Sequence, residues 1–150
     1  MVLTQVPTTQ NSKPDSVRRG FAAIGPIDPV NSVYRWPGGL RPLEQYASAA
    51  SGVGVVATVP EVDGVVRRMP LVVNIANNLY PALPLESIRV AAGDPSYQIK
   101  TNEFGIEAVR IPQFPPIKTD ERGRVWVGWN NKFESMDATE IDDQIGRAHV

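Results

Sequence analysis

Acid and base side chains crowd into one short run of this 150-residue sequence, Glu61-Val-Asp63-Gly64-Val-Val-Arg67-Arg68, and a further carboxylate follows at Asp120. Carboxylate oxygens suit calcium or magnesium, so Glu61 and Asp63 form a minimal pair for a shared cation, although two acids in one turn are also what a solvated loop contains. Convergence of two of Glu61, Asp63 and Asp120 in a pocket, with shifted pKa values, would suit a small soluble hydrolase. Arg67 and Arg68, with Asp63 beside them, are the candidate ligand contacts, and the chemistry they offer is recognition of an anion. Neighbouring side chains on a strand point to opposite faces, so the two arginines are not expected to line one pocket. One would cover apolar surface with its stem while the other pairs with a local acid.

Other catalytic templates are absent. No Gly-x-x-x-x-Gly-Lys-Ser/Thr loop occurs, and no Gly-x-Gly-x-x-Gly opens a helix; Gly52-x-Gly54 is an isolated pair beside a strand. The chain has no cysteine, which excludes disulfides, thiolate metal sites and cysteine nucleophiles. Its single histidine, His149, falls in Ile145-Gly-Arg-Ala-His-Val150, which reads as a translated sequencing adapter. The domain is therefore expected to occupy residues 1–144, with the natural frame cut near Gln144 and no histidine left for a triad. No cofactor is expected.

Composition bounds the rest. A formal charge of −1 gives no reason to expect nucleic acid or a membrane surface as partner. Hydrophobic residues at 42% and charged residues at 21% suit one globular domain. Fourteen prolines and twelve glycines favour short elements and many turns. No apolar run has the length of a bilayer span, and the N-terminus lacks the pattern of a signal peptide, so the chain as given is expected to be soluble.

The elements that must position these groups read as follows. Strands are expected at residues 2–6 and 21–24, with a polar loop at 8–19 and an irregular connection at 28–39. That connection carries Tyr34 and Trp36, either an exposed aromatic pair or a pair packed on the core. Pro42 suits a first helical position, with Leu43, Tyr46, Ala47 and Ala50 on one apolar face. A doubly buried strand at 53–59 and a partner at 65–75 would be joined by the Asp63-Gly64 turn, with Pro70 at an edge or bulge. Asn77-Asn78 makes a turn. A helix then starts between Pro81 and Pro84 and runs to about Ala92, with Leu85, Ile88 and Ala92 inward, ended by Gly93-Asp94-Pro95. Strands at 97–101 and 106–111 form a hairpin; 117–119 leads through a turn at 120–123 into a strand at 124–129, and 135–143 begins another helix. Trp126 and Trp129 face opposite ways, and core packing is expected for at least one of them. The fold class is α/β in the mixed α+β sense: a β-rich sheet with hairpins, flanked by two or three short helices.

The order of Asp63-Gly-Val-Val-Arg-Arg-Met-Pro-Leu71, Leu79-Tyr-Pro-Ala-Leu-Pro-Leu-Glu86, Ile111-Pro112 and Ile117-Lys-Thr-Asp120-x-x-Gly123 resembles the type-2 CHASE (CHASE2) sensory domain. The resemblance is strongest over residues 40–129 and covers the C-terminal part of that domain, so the domain is expected to be incomplete and poorly stable alone, with the strand at Val53 left at an open edge. It implies a receptor domain on the extracytoplasmic (periplasmic) face of a bacterial inner membrane, sensing a small ligand or physical stimulus. The parent protein would be membrane-anchored and dimeric, with a cyclase or kinase output; the run Asn102-Glu-Phe-Gly-Ile-Glu-Ala-Val-Arg-Ile-Pro112 looks most like adenylate or guanylate cyclase-linked members. The chain itself would then not be an enzyme. The readings that compete with it are the carboxylate-dependent hydrolase and a structural or adhesive β-rich domain.

Overall fold

The computed structural model of the chain describes residues 1–17, 20–94 and 96–128; Pro95, Trp129, the expected helix at 135–143 and the 145–150 tail lie outside them. In chain order the elements are β1 (Val2–Thr8), β2 (Phe21–Ile24), a 3-10 turn (Pro29–Asn31), β3 (Arg35–Trp36), β4 (Gly38–Leu40), α1 (Glu44–Ala47), β5 (Gly52–Val55), β6 (Arg68–Pro70), β7 (Val72–Ile75), β8 (Asn78–Pro81), α2 (Leu83–Ala92), β9 (Tyr97–Asn102), β10 (Gly105–Arg110), β11 (Ile117–Lys118) and β12 (Arg124–Trp126). The fold is mixed α+β and β-rich, as the sequence led us to expect.

The strands form small sheets in the orders β4-β1-β5, β11-β10-β9-β2 and β3-β7-β8, with a ribbon of β12 and β6. The pairs β1/β5, β2/β9 and β3/β7 are parallel, so distant segments close each sheet. β5 is the last strand of its sheet, as expected of the strand at Val53, but it is covered rather than open, and Val53 is buried. β1 pairs alongside β5 from Val2↔Gly52 to Gln5↔Val55, and Val55 bridges Ala82 on the other side.

Helix α2 lies across β5, and it departs from the expected inward face. Leu85 is buried, but Ile88 is 42% exposed, and the inward positions beside Leu85 are Glu86 and Arg89. Two glycines explain how the helix comes so close. A Cβ on Gly54 would stand 2.5 Å from the Leu83 Cα, and one on Gly52 would stand 2.1 Å from Glu86 Oε1. Gly52-x-Gly54 is therefore a packing seam and not a phosphate loop. Against that seam the Glu86 carboxylate accepts bonds from Arg89 Nε and Nη2 at 2.8 and 2.9 Å and from the Tyr97 hydroxyl. Arg89 also donates to the carbonyls of Asp94 and Ser51. Burial, then the Glu86 carboxylate, push the Tyr97 phenol far above its ordinary pKa, so it stays a donor. The surrounding core is Val72, Leu85, Tyr97, Ile99, Ile106 and Val109.

The remaining differences concern local geometry. The helix after Pro42 is a single turn, and Leu43 and Tyr46 are 68% and 53% exposed while Ala47 alone of the expected face is buried. The chain has to reach β5 at once, where the Ser51 N–H already bonds the Met1 carbonyl. The expected strand at 65–75 divides at Leu71, whose N–H bonds Gly123. The turn expected at Asn77-Asn78 falls one residue earlier: Ala76 and Asn77 have φ of 49° and 68°, and they form the two-residue loop of a β7–β8 hairpin. Trp36 packs half-buried against the cluster of Val55, Ala57, Val73, Ile75 and Tyr80, and its ring lies 6.2 Å from that of Tyr34. The β9–β10 hairpin and the stop of α2 at Gly93, with φ of 66°, form as expected.

Replacing Arg89 by Met leaves a buried carboxylate without its cation and should lower unfolding free energy by about 3–5 kcal/mol; adding Glu86→Leu should recover most of that loss, since an apolar pair removes both desolvated charges. Urea unfolding of the two variants checks both signs. Gly54→Ala should cost about 1–3 kcal/mol by forcing α2 off β5, read from the same midpoints.

Candidate functional site

The expected hairpin around Asp63-Gly64 is a loop. Its tip is built as the residue types require: Gly64 has φ of 80°, its N–H bonds the Glu61 carbonyl at 2.8 Å, and the Asp63 carboxylate accepts the Val65 N–H at 3.1 Å. No ladder flanks that tip. Pro60 has no N–H to donate, and strand structure resumes only at Arg68, where β6 pairs with β12 through Met69↔Val125. The partner of the double-arginine strand is thus the segment after the Asp120 turn, more than fifty residues away in sequence.

This pairing assembles an ionic cluster. Arg67 meets Asp63 as a fork, Nη1 to Oδ1 at 2.9 Å and Nη2 to Oδ2 at 2.7 Å, with Glu61 at 3.8 Å. Arg68 donates from Nε to Glu61 at 2.8 Å and from Nη1 to Asp120 at 3.1 Å, and its guanidinium lies 5.3 Å from the ring centre of Trp126. Asp120 also takes Arg124 Nε at 2.7 Å and the N–H groups of Arg122 and Arg124. Arg124 continues to the Tyr34 hydroxyl at 3.2 Å, and the guanidinium groups of Arg122 and Arg124 lie 5.2 and 5.5 Å from the Tyr34 ring centre.

A cleft of about 710 Å³ opens beside this cluster, lined by Tyr34, Arg67 and Arg68 and by the loop residues Pro60, Glu61, Val62 and Asp63. Both arginines line it, contrary to the strand-geometry expectation; Arg68 opens β6 and Arg67 immediately precedes it. Both also pair with acids, so neither serves mainly as an apolar cover. The side chains missed by sequence reasoning are Tyr34, Arg122 and Arg124, with Trp126 at the margin. Trp126 is 72% exposed and not a core residue.

The arrangement argues against two of the chemistries weighed from sequence. A hydrolytic acid needs a carboxyl held up in pKa, whereas the Arg67 hydrogen bond, followed by the Val65 N–H, holds Asp63 down at about 2. Glu61 and Asp120 likewise direct their oxygens to guanidinium groups. Among the described residues no three His, Cys, Asp or Glu side chains gather to hold a metal ion, and Glu61 and Asp63 are already turned to arginines. What the cleft offers is guanidinium forks beside an aromatic ring.

A family model, the CHASE2 domain, matches residues 3–148, extending on both sides of the 40–129 window that the motifs marked. The chain belongs to the CHASE2 domain family. CHASE2 domains are sensory and not catalytic, and they are extracytoplasmic. No curated protein and no solved structure matches the chain. Among the described residues of this CHASE2 domain, no helix is long and apolar enough to cross a membrane. Three residues of the Asp63-Gly-Val-Val-Arg-Arg68 run, Asp63, Arg67 and Arg68, line the cleft.

The Asp63–Arg67 fork makes a signed pH prediction. Because the folded pKa of Asp63 lies below its ordinary value, its contribution to stability is complete above about pH 4 and is lost as pH falls through about 2. The stability difference between wild type and Asp63→Asn should therefore be constant near neutrality and shrink below pH 4, measured by urea unfolding across that range.

Proposed function

We propose that this CHASE2 domain is the signal-input part of a bacterial transmembrane receptor, lying on the periplasmic face of the inner membrane and controlling an adenylate or guanylate cyclase. The observation that carries the reading is the family match over residues 3–148. The cyclase assignment has its support in the sequence: the 102–112 run is most like cyclase-linked members. Support also comes from the cleft, whose carboxylates are matched to arginines in a way that suits binding and not hydrolysis.

The mechanism is a biased equilibrium. A stimulus can act only through a difference in interaction free energy between two conformations of the domain. Membrane helices of the parent protein would carry that difference to a dimeric output, which suits two receptor copies acting together. Charge argues against a nucleic acid as the stimulus, because the net charge is −1 and a phosphate backbone needs a broad basic face.

Sequencing the flanking frame in the source DNA tests the proposal directly. Membrane-spanning helices followed by a nucleotide cyclase domain are expected. A frame that encodes neither contradicts it. Fusing alkaline phosphatase to the domain within that receptor should give an active periplasmic enzyme, and an inactive fusion paired with an active cytoplasmic reporter would reverse the assigned side.

A further inference from the structure

We propose that the cleft beside the 58–66 loop binds a small carboxylate with a flat apolar body, which takes the Arg67 fork now held by Asp63 and so releases the loop. The proposal deepens the sensory reading and rests on it for its biological meaning, while the binding step stands on the geometry alone.

Asp63 acts as a built-in substitute for such a ligand. Its carboxylate meets Arg67 through two parallel contacts of 2.9 and 2.7 Å, the geometry by which a guanidinium receives any carboxylate. Both side chains are about half-exposed, 40% for Arg67 and 52% for Asp63, so the pair is weak enough to exchange partners. The cleft lining is charge-balanced, with the guanidiniums of Arg67 and Arg68 against the carboxylates of Glu61 and Asp63, so an external carboxylate that takes the place of Asp63 keeps that balance. Arg122 and Arg124 reach the cleft only through the Tyr34 ring, 5.2 and 5.5 Å from their guanidinium groups. Tyr34 and Pro60 supply the apolar surface that a flat body would cover.

Displacement has a structural consequence. Among the described residues, the polar ties from residues 58–65 to the rest of the domain are the Asp63–Arg67 fork and the Glu61 contacts with Arg67 and Arg68. Arg67 itself is fixed, since its carbonyl accepts the Val127 N–H at 2.8 Å. A ligand on Arg67 therefore leaves the Glu61 contacts as the described polar tie of residues 58–65, and the domain gains two states that differ in interaction with the ligand.

The test uses benzoate as probe on the full chain, with acetate, phosphate and neutral benzamide as comparators at fixed ionic strength, followed by NMR of the arginine Nε–H and tyrosine ring signals. Benzoate should bind saturably and shift Arg67 and Tyr34, acetate and phosphate should bind more weakly, and benzamide should not bind. Asp63→Asn removes the internal competitor and should tighten benzoate about tenfold. Arg67→Lys keeps the charge, loses the fork and should weaken it by a similar factor. No saturable binding to wild type and D63N, equal binding of phosphate and benzoate, or a D63N affinity no tighter than wild type each overturns the proposal. If the site binds as described but D63N and R67K leave the intact receptor's output unchanged, the cleft's part in signalling is overturned while the binding step stands.

Discussion

The fold depends on a buried ion pair. Glu86 and Arg89 sit on the inward face of α2, 1% and 4% exposed, and between them they tie the helix to β5 through Ser51, to the segment after the helix through Asp94, and to β9 through the Tyr97 hydroxyl. Removing two charges from water is costly, and the arrangement holds because the carboxylate is met by three donors and the guanidinium by further carbonyls. Gly52 and Gly54 make the approach possible by having no side chain. The polar centre therefore fixes how α2 seats between the β4-β1-β5 sheet and β9.

On this rigid body the cleft is a different kind of structure. Its anchors belong to the β6–β12 ribbon, whose pairing brings Arg68 against Asp120 and Trp126. Its outer wall is a loop with internal turn bonds and ionic ties. Such a division, well-packed elements beside a segment held by exposed charges, places low local stability where a sensory domain needs a second conformation. The carboxylates that looked like possible acids or metal ligands are the partners that hold the arginines in place.

Much of this was legible in the sequence and part was not. The β9–β10 hairpin, the limits of α2 and the Asp120–Gly123 turn follow from alternation, a proline at the helix start and glycines at left-handed positions, all of them local signals. The Asp63-Gly64 turn was readable too, but its strands were not, because the partner of β6 lies beyond residue 120 and turn chemistry does not report it. Periodicity misplaced Ile88 for a related reason: a hydrophobic pattern cannot announce that Glu86 and Arg89 face inward as a matched pair. Arg67 and Arg68 were singled out as ligand contacts and both line the cleft, yet they were assigned to opposite faces on the premise of a strand that starts one residue later. Tyr34, Arg122 and Arg124 had no motif to mark them, since only the fold places them together.

The central claim is that a loop tied by exposed ion pairs rides on a rigid, charge-locked body. Native-state hydrogen exchange of the full chain at low and high salt tests it. Amides of residues 61–65 should exchange by local opening, faster at about 1 M salt where such pairs are screened, while those of α2 and β9 stay protected at both. Equal protection of the loop and α2, or a loop indifferent to salt, would contradict it.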